Sequence, residues 1–423
     1  MMRATNRRPD PGSLSGDTIL LFALIGLVVL TLGVTYAGIH IGYHFAGLGP
    51  APTDPWEVLT GVLKGTLPWP AASTWAVVGL AVLGAGLALL VVRRRRRISR
   101  VDAAARWLGR GDDVAEISAK TVAKKAERLG VTNAVGVPIG TTVATRQPLF
   151  GSWEDMHIDI WGPRTGKTTS RAIPAILAAP GAVLVTSNKR DVVDATRDPR
   201  ATIGQVWIFD PQGISGEEAT WWWNPLSYVT DEVKAAKLAE HFASSSRDPG
   251  ARTDAYFDPA AQDLLAGLLL AAALDHRPIT DVYKWLTRPT DETAVDILRD
   301  HGVTLTADLV AGVVSAPEKQ RGGVYGTAQQ MAACLTNRYI TSWITPQGAA
   351  DPRCQFSPEE FVRSTADTLY SLSKEGRGTA GPLVTALTVA IVEAAEELAA
   401  ASPGGRLGTP LLGVLDEAAN VCR

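Results

Sequence analysis

The sequence predicts an α/β protein with a parallel sheet, two N-terminal transmembrane helices and an all-α insertion between the two halves of the sheet domain. Three observations carry this. Two long uncharged runs stand near the N-terminus. Short apolar, β-prone runs then alternate with helical ones, the pattern of a sheet whose strands are joined by helical crossovers. Between about residues 230 and 355 only helical patterns remain.

The first apolar run is Ile19 to Ile39, long enough to cross about 30 Å of hydrocarbon as a helix. The second, Trp75 to Val92, is shorter and opens on a residue suited to a membrane interface. In lipid every backbone group must be satisfied within the segment, so both are expected to be helical. Arg3, Arg7 and Arg8 precede the first run, and Arg93 to Arg97 with Arg100 follow the second. Lys64 is the one basic Lys or Arg between them, so both ends are expected in the cytoplasm and a short hairpin outside. The five-arginine run is read as a topology signal facing anionic lipid rather than a nucleic-acid patch. A cleaved signal peptide is disfavoured, because its apolar run would be shorter and no second span would follow.

Composition sets further bounds. The 423 residues are 46% hydrophobic and 20% charged, with a formal net charge of −2. No global basic field advertises nucleic acid, so any DNA contact must come from a local patch or a pore built by several subunits. Three cysteines, Cys334, Cys354 and Cys422, form no paired motif, which favours reduced thiols.

Four segments are expected. Residues 1–100 hold the N-terminus and the two-helix anchor. Residues 101–229 hold a charged juxtamembrane helical region, then short strands and turns from Val131, then the first part of the α/β domain. Residues 230–355 are the all-α insertion, and residues 356–423 the second part of the α/β domain. Strands are expected at Asp155–Trp161, Ala182–Thr186, Val206–Phe209, Thr365–Leu372 and Leu411–Leu415, with helices at Thr168–Ala179 and Ala380–Ala401. Within the insertion, helices are expected at Val233–Ala243, Ala260–Leu274, Ile279–Leu286 and Thr293–His301.

The chemistry lies in Trp161-Gly162-Pro163-Arg164-Thr165-Gly166-Lys167-Thr168, followed by Thr169. A phosphate chain needs several backbone N–H groups converging on it, and a tight loop opening a helix supplies them. In this P-loop reading Lys167 meets the β- and γ-phosphates of ATP and the Thr168 hydroxyl meets Mg²⁺. Gly162, Pro163, Arg164, Thr165, Gly166 and Thr169 complete the cradle. The pattern GxxxxGK[ST] has Trp161 at its first glycine position, with Gly162 one residue later. The second half of the site is Leu411-Leu412-Gly413-Val414-Leu415-Asp416-Glu417, an apolar strand ending in two acids. Asp416 is expected to hold Mg²⁺ and Glu417 to polarise the attacking water.

These residues resemble the type IV secretion coupling proteins, the TraG/TraD-like conjugative DNA translocases. The resemblance rests also on Pro174 inside the P-loop helix and on Val185-Thr186-Ser187-Asn188-Lys189-Arg190-Asp191. It extends to the stretch from Phe209-Asp210-Pro211 to Trp223-Asn224-Pro225-Leu226, and to Asp416-Glu417-Ala418-Ala419-Asn420. It implies a RecA-like core and a homo-hexameric ATPase of the bacterial inner membrane. Such an enzyme receives a DNA–relaxase nucleoprotein and passes it toward secretion-channel components. A RecA-like core usually continues well beyond its acid pair, so the 423 residues are expected to be a truncated form, weak or inactive alone.

Two other readings compete with this one. An FtsK-type double-stranded DNA translocase shares the P-loop but is disfavoured by the helical insertion. A membrane scaffold that binds nucleotide without turnover is disfavoured by the intact Lys167, Thr168, Asp416 and Glu417. Trp221 to Trp223 are candidates for stacking single-stranded DNA, with packing between domains the favoured reading. Arg321 and Arg377 are candidate phosphate contacts, solvation being the plainer reading.

Overall fold

The computed structural model describes residues 16–94, 104, 107–143, 145–162, 164–246, 254–374 and 379–417. The chain divides into two compact units, Met1–Trp107 and Leu108–Arg423.

The first unit is a helical hairpin. Helices α1 (Gly16–Ala46), α2 (Pro55–Leu63) and α3 (Ala71–Arg94) follow one another, with Asp54 capping α2 by accepting from the Trp56 N–H at 2.8 Å. α1 and α3 approach closely at two glycines. A Cβ on Gly42 would overlap Ser73, and one on Gly38 would lie 2.3 Å from a Val77 methyl.

In the second unit, α4 (Ala119–Arg128) precedes an antiparallel hairpin of β1 (Val137–Thr141) and β2 (Pro148–Gly151). A widened, π-type turn over Thr168–Ala172 runs into α5 (Ile173–Ala178). The proline explains the widening. In an α-helix the Pro174 ring would press on the Ser170 carbonyl, and an extra residue in the turn before it relieves that clash. Then come β3 (Val183–Ser187), α6 (Asp191–Ala201), β4 (Val206–Phe209) and β5 (Trp221–Trp222).

The helical stretch follows. It contains α7 (Glu232–Ser245), α8 (Phe257–Leu274), α9 (Thr280–Leu286), α10 (Thr293–Asp300), α11 (Thr304–Val314), α12 (Glu318–Met331) and α13 (Arg338–Thr341). β6 (Cys354–Gln355), α14 (Pro358–Arg363), β7 (Thr368–Leu372), α15 (Gly381–Ala401) and β8 (Leu412–Leu415) complete the described chain.

The main sheet has the order β4-β7-β3-β8, and every pair is parallel. β3 and β7 lie in the middle and are buried along their full length, as continuous apolar runs covered on both faces should be. On one face Ile176, Val192 and Val193 pack under Val183, Val185, Ile208 and Tyr370. On the other, Leu184, Phe209 and Leu369 join a continuous core running through α7, α8, α10, α12 and α15. The helical stretch therefore shares its core with the sheet.

The structure corrects one expected strand. Asp155–Trp161 is extended but unpaired among the described residues, with Ile158 and Ile160 87% and 92% exposed. Its alternation of apolar and polar residues makes a strand only where a neighbour takes its N–H and C=O groups. Trp221 and Trp223 pack as core. Trp221 lies among Trp207, Phe209, Trp343 and Phe356 at ring separations of 5.2–5.9 Å, and Trp223 is fully buried. They present no stacking platform. Arg321 donates to the carbonyls of Val314 and Ala316, closing the end of α11, and Arg377 lies outside the described residues.

Candidate functional site

Two loops at the carboxyl ends of the parallel strands bring the expected site together. The first, residues 161–167, precedes the widened turn. Gly166 has φ 93, a left-handed conformation that glycine adopts without strain, and Lys167 follows in the right-handed helical region. Two successive residues of opposite hand turn consecutive N–H groups to one side, the geometry of an anion-binding nest. Arg164, at φ 58, is exposed and also left-handed. The Thr165 hydroxyl donates to the Gly162 carbonyl at 2.5 Å, and the Thr169 hydroxyl to the Gly166 carbonyl at 3.1 Å. These bonds close the loop on itself. Thr168 is half-buried at the start of the widened turn, and Pro163 lies outside the described residues.

The second loop leaves β8. The ladder continues one residue past the strand, with the Asp416 N–H donating to the Thr186 carbonyl at 3.1 Å. Glu417 then turns sharply at φ 56. A left-handed glutamate is uncommon, and here it swings the second carboxylate toward the first loop.

The two loops meet at Lys167. Its Nζ lies 2.9 Å from Asp416 Oδ1 and 3.1 Å from Glu417 Oε1, spanning 250 residues of sequence. The Asp416 side chain is nearly buried, at 8% exposure, while Lys167 and Glu417 keep about a third of theirs. Partial burial works against the Lys167 charge, but the hydrogen bonds and negative charge of Asp416 and Glu417 outweigh it. The ammonium is held above its ordinary value of 10.5. The site thus contains one cation, two carboxylates and a loop of inward-facing N–H groups on one sheet edge. That combination can exchange carboxylate for phosphate on Lys167 and free Asp416 for a divalent cation. No cluster of three or more metal-ligating side chains occurs among the described residues. A site offering one or two carboxylates with phosphate oxygens and water suits Mg²⁺.

Sequence reasoning missed what holds the first loop in place. Arg171, 7% exposed, lies on the widened turn. It donates to Asp159 at 3.0 and 3.2 Å, to His157 Nδ1 at 3.3 Å and to the Pro138 carbonyl. One guanidinium thereby fixes the turn to the extended approach of the loop and to β1. A buried arginine cannot be told from an exposed one by residue type, and nothing in the spacing signalled this. Asp210, in the family-like Phe209-Asp210-Pro211, accepts from the N–H groups of Ile214, Ser215 and Gly216 at 2.7–3.1 Å and shapes the loop after β4.

A family model described as type IV secretory system conjugative DNA transfer matches residues 112–347, just over half the chain. The match includes the loop of Lys167 and stops before Asp416 and Glu417. No curated protein matches the chain.

Proposed function

The chain belongs to the type IV secretory system conjugative DNA transfer family, and from that membership we propose that it is a membrane-anchored ATPase coupling ATP hydrolysis to the movement of DNA or a relaxase–DNA nucleoprotein into a secretion channel. The observation that carries the ATPase part is the meeting of Lys167 with Asp416 and Glu417 on the loop side of a parallel sheet. The anchor part is supported by the hairpin of α1 and α3, two long apolar helices, α1 being one of the helices long and apolar enough to cross a bilayer. On this reading the α/β unit is a RecA-like core with an all-α insertion. It works at the inner membrane as a homo-hexamer, with its nucleotide side in the cytoplasm.

The residues fit ATP and Mg²⁺ as follows. The backbone of residues 162–168 surrounds the phosphates, with Arg164, Thr165 and Gly166 at the bend. Lys167 leaves its carboxylate partners and bonds the β- and γ-phosphate oxygens. The Thr168 hydroxyl and Asp416 hold Mg²⁺, which when bound neutralises phosphate charge as it develops. Glu417, relieved of Lys167, accepts the proton of the attacking water, a step its left-handed backbone pre-aims.

The division of labour between the acids is testable. Glu417→Gln should bind Mg-ATP with near-normal affinity and hydrolyse it at least about 100-fold more slowly, because an amide cannot accept the proton. Asp416→Asn should instead raise the Mg²⁺ concentration needed for nucleotide binding. Equal binding defects in a fluorescent-nucleotide titration would refute the assignment.

A further inference from the structure

We infer that the outer end of the hairpin is a small folded head seated on the outer-leaflet lipid interface, with the hydrocarbon ending near Tyr36 and with Trp56 and Trp75 as its interfacial anchors. This rests on the membrane-anchor reading above and locates its outer boundary.

The length of α1 is the starting point. Its 31 residues rise about 46 Å at 1.5 Å per residue, against about 30 Å of hydrocarbon, which about 20 residues span. Some eleven residues are in excess, and the structure shows at which end. The loop after α1 does not lead away from the helix but folds back along it. The Tyr36 hydroxyl donates to the Thr53 carbonyl at 3.3 Å, and His40 Nε2, as its N–H tautomer, bonds the Pro52 carbonyl at 3.2 Å. The Tyr36 and His40 rings lie 4.4 Å apart. Irregular backbone is thus held beside α1 from Tyr36 upward. Lipid-exposed irregular backbone does not occur within hydrocarbon. The boundary must lie below it, which moves the outer limit of the span down from the expected Ile39 and leaves residues 18–35, the uncharged stretch between Asp17 and the pinned loop, for the membrane.

Above that level the chain has a core of its own. Ile39, Tyr43, Ala51 and Val58 are buried, with Val62 and Leu67 packed against them. α3 is in register with it, since Gly42 faces Ser73 and Gly38 faces Val77. Trp75 therefore lies level with His40. Trp56 starts α2 two residues after Asp54, directly beyond the Pro52–Thr53 segment pinned at Tyr36 and His40, and so lies at the same height. Both indoles point outward, Trp56 at 64% and Trp75 at 74% exposure. Two exposed tryptophans at one height, just above a span of the right length, match the interfacial preference of an amphipathic indole.

The experiment uses the whole protein in liposomes, with Cys354 and Cys422 replaced by serine and Cys334, which is buried, retained. Single cysteines at Trp56, Trp75, Val29 and Lys64 carry an environment-sensitive fluorophore. Lipids brominated near the headgroup, lipids brominated deep in the chain, and aqueous iodide serve as quenchers. The expected result is strongest quenching of positions 56 and 75 by shallow bromine, of 29 by deep bromine, and of 64 by iodide. If 56 and 75 follow iodide while 29 follows deep bromine, the anchor stands and the seating is overturned. If 56 and 75 resist all three quenchers, a protein surface covers them and the seating is again overturned. If position 29 also follows iodide, the anchor reading itself has failed.

Discussion

Each end of the parallel sheet is built around a cation, and the two cations are treated oppositely. At the carboxyl ends Lys167 meets two carboxylates, keeps about a third of its surface in water and sits on a loop. At the amino ends Arg200 is 1% exposed and meets only neutral oxygens. It donates to Thr368 Oγ1 at 2.7 Å, to the carbonyls of Gly181 and Ala366 at 2.9 and 2.8 Å, and to that of Ala179 at 3.3 Å. Burial pushes its guanidinium below the ordinary value, offset in part by Tyr370 and Asp367. An ammonium paired with carboxylates near water can change partners at little cost. A sealed guanidinium holding the approaches to β3 and β7 cannot. Exchange belongs to the first end and rigidity to the second.

The largest expected effect separates the two on activity. In the full-length protein Lys167→Ala removes the cation proposed to bind phosphate, so ATP turnover should fall at least about 100-fold while the protein still inserts in membranes and resists limited proteolysis. Normal turnover would show that the cation at this end is structural like the other.

Arg200→Ala should do the reverse. It removes the guanidinium from four oxygens, three of them buried, and leaves a cavity between α6 and the strands. Such losses cost about 3–5 kcal/mol, read as a lower denaturant midpoint and faster proteolysis. Arg200→Lys should recover little of it, because one ammonium cannot reach four oxygens on two segments. A variant that keeps its stability would make Arg200 a passenger and remove the contrast.

How much of this was legible in the sequence follows the same division. Val183–Ser187, Val206–Phe209, Thr368–Leu372 and Leu412–Leu415 form strands within a few residues of expectation, because each is an apolar run stopped by Gly, Pro, Ser or acid. That Lys167 would meet Asp416 and Glu417 was legible because a Gly-Lys turn opening a helix and an acid pair ending an apolar strand both belong at the carboxyl ends of parallel strands. The order β4-β7-β3-β8 was not legible, since ladder partners lie up to 229 residues apart. Neither was Arg200, whose partners at the entry to β7 stand 166 and 168 residues away. α12 was missed because Gly322, Gly323 and Gly326 argue against a helix. Packing overrides propensity there, for a Cβ on Gly323 would lie 2.3 Å from the Phe257 ring. The run before the Lys167 loop failed for the converse reason, since its pattern was right and its neighbour strand is missing among the described residues.

A smaller effect tests whether Arg171 sides with exchange or with rigidity. It holds the turn of Lys167 against Asp159 and Pro138 with a forked guanidinium. Arg171→Lys keeps the charge and loses the fork. Losing one charge-assisted bond of about 1.5 kcal/mol should weaken ATP binding roughly tenfold if the loop must be pre-shaped. Unchanged binding with reduced stability would place Arg171 with Arg200.

The smallest effect is a pH dependence that only the exchangeable end should show. Asp416 and Glu417 hold the Lys167 ammonium above 10.5, despite the burial that opposes the charge. A group whose folded value is raised contributes stability that is complete below its unfolded value and is lost as pH rises through the folded one. The Lys167 contribution should therefore be flat from neutral pH to about 10 and decline only above 10.5. The measurement is the difference in unfolding free energy between the protein and Lys167→Met. Above that range the two proteins converge, because both then lack a charged group at position 167. Partial exposure keeps the difference small, and salt should shrink it further. A difference already fading near pH 8 would mean that the carboxylates do not hold the ammonium in solution, and the exchange of partners proposed for nucleotide binding would have nothing to exchange.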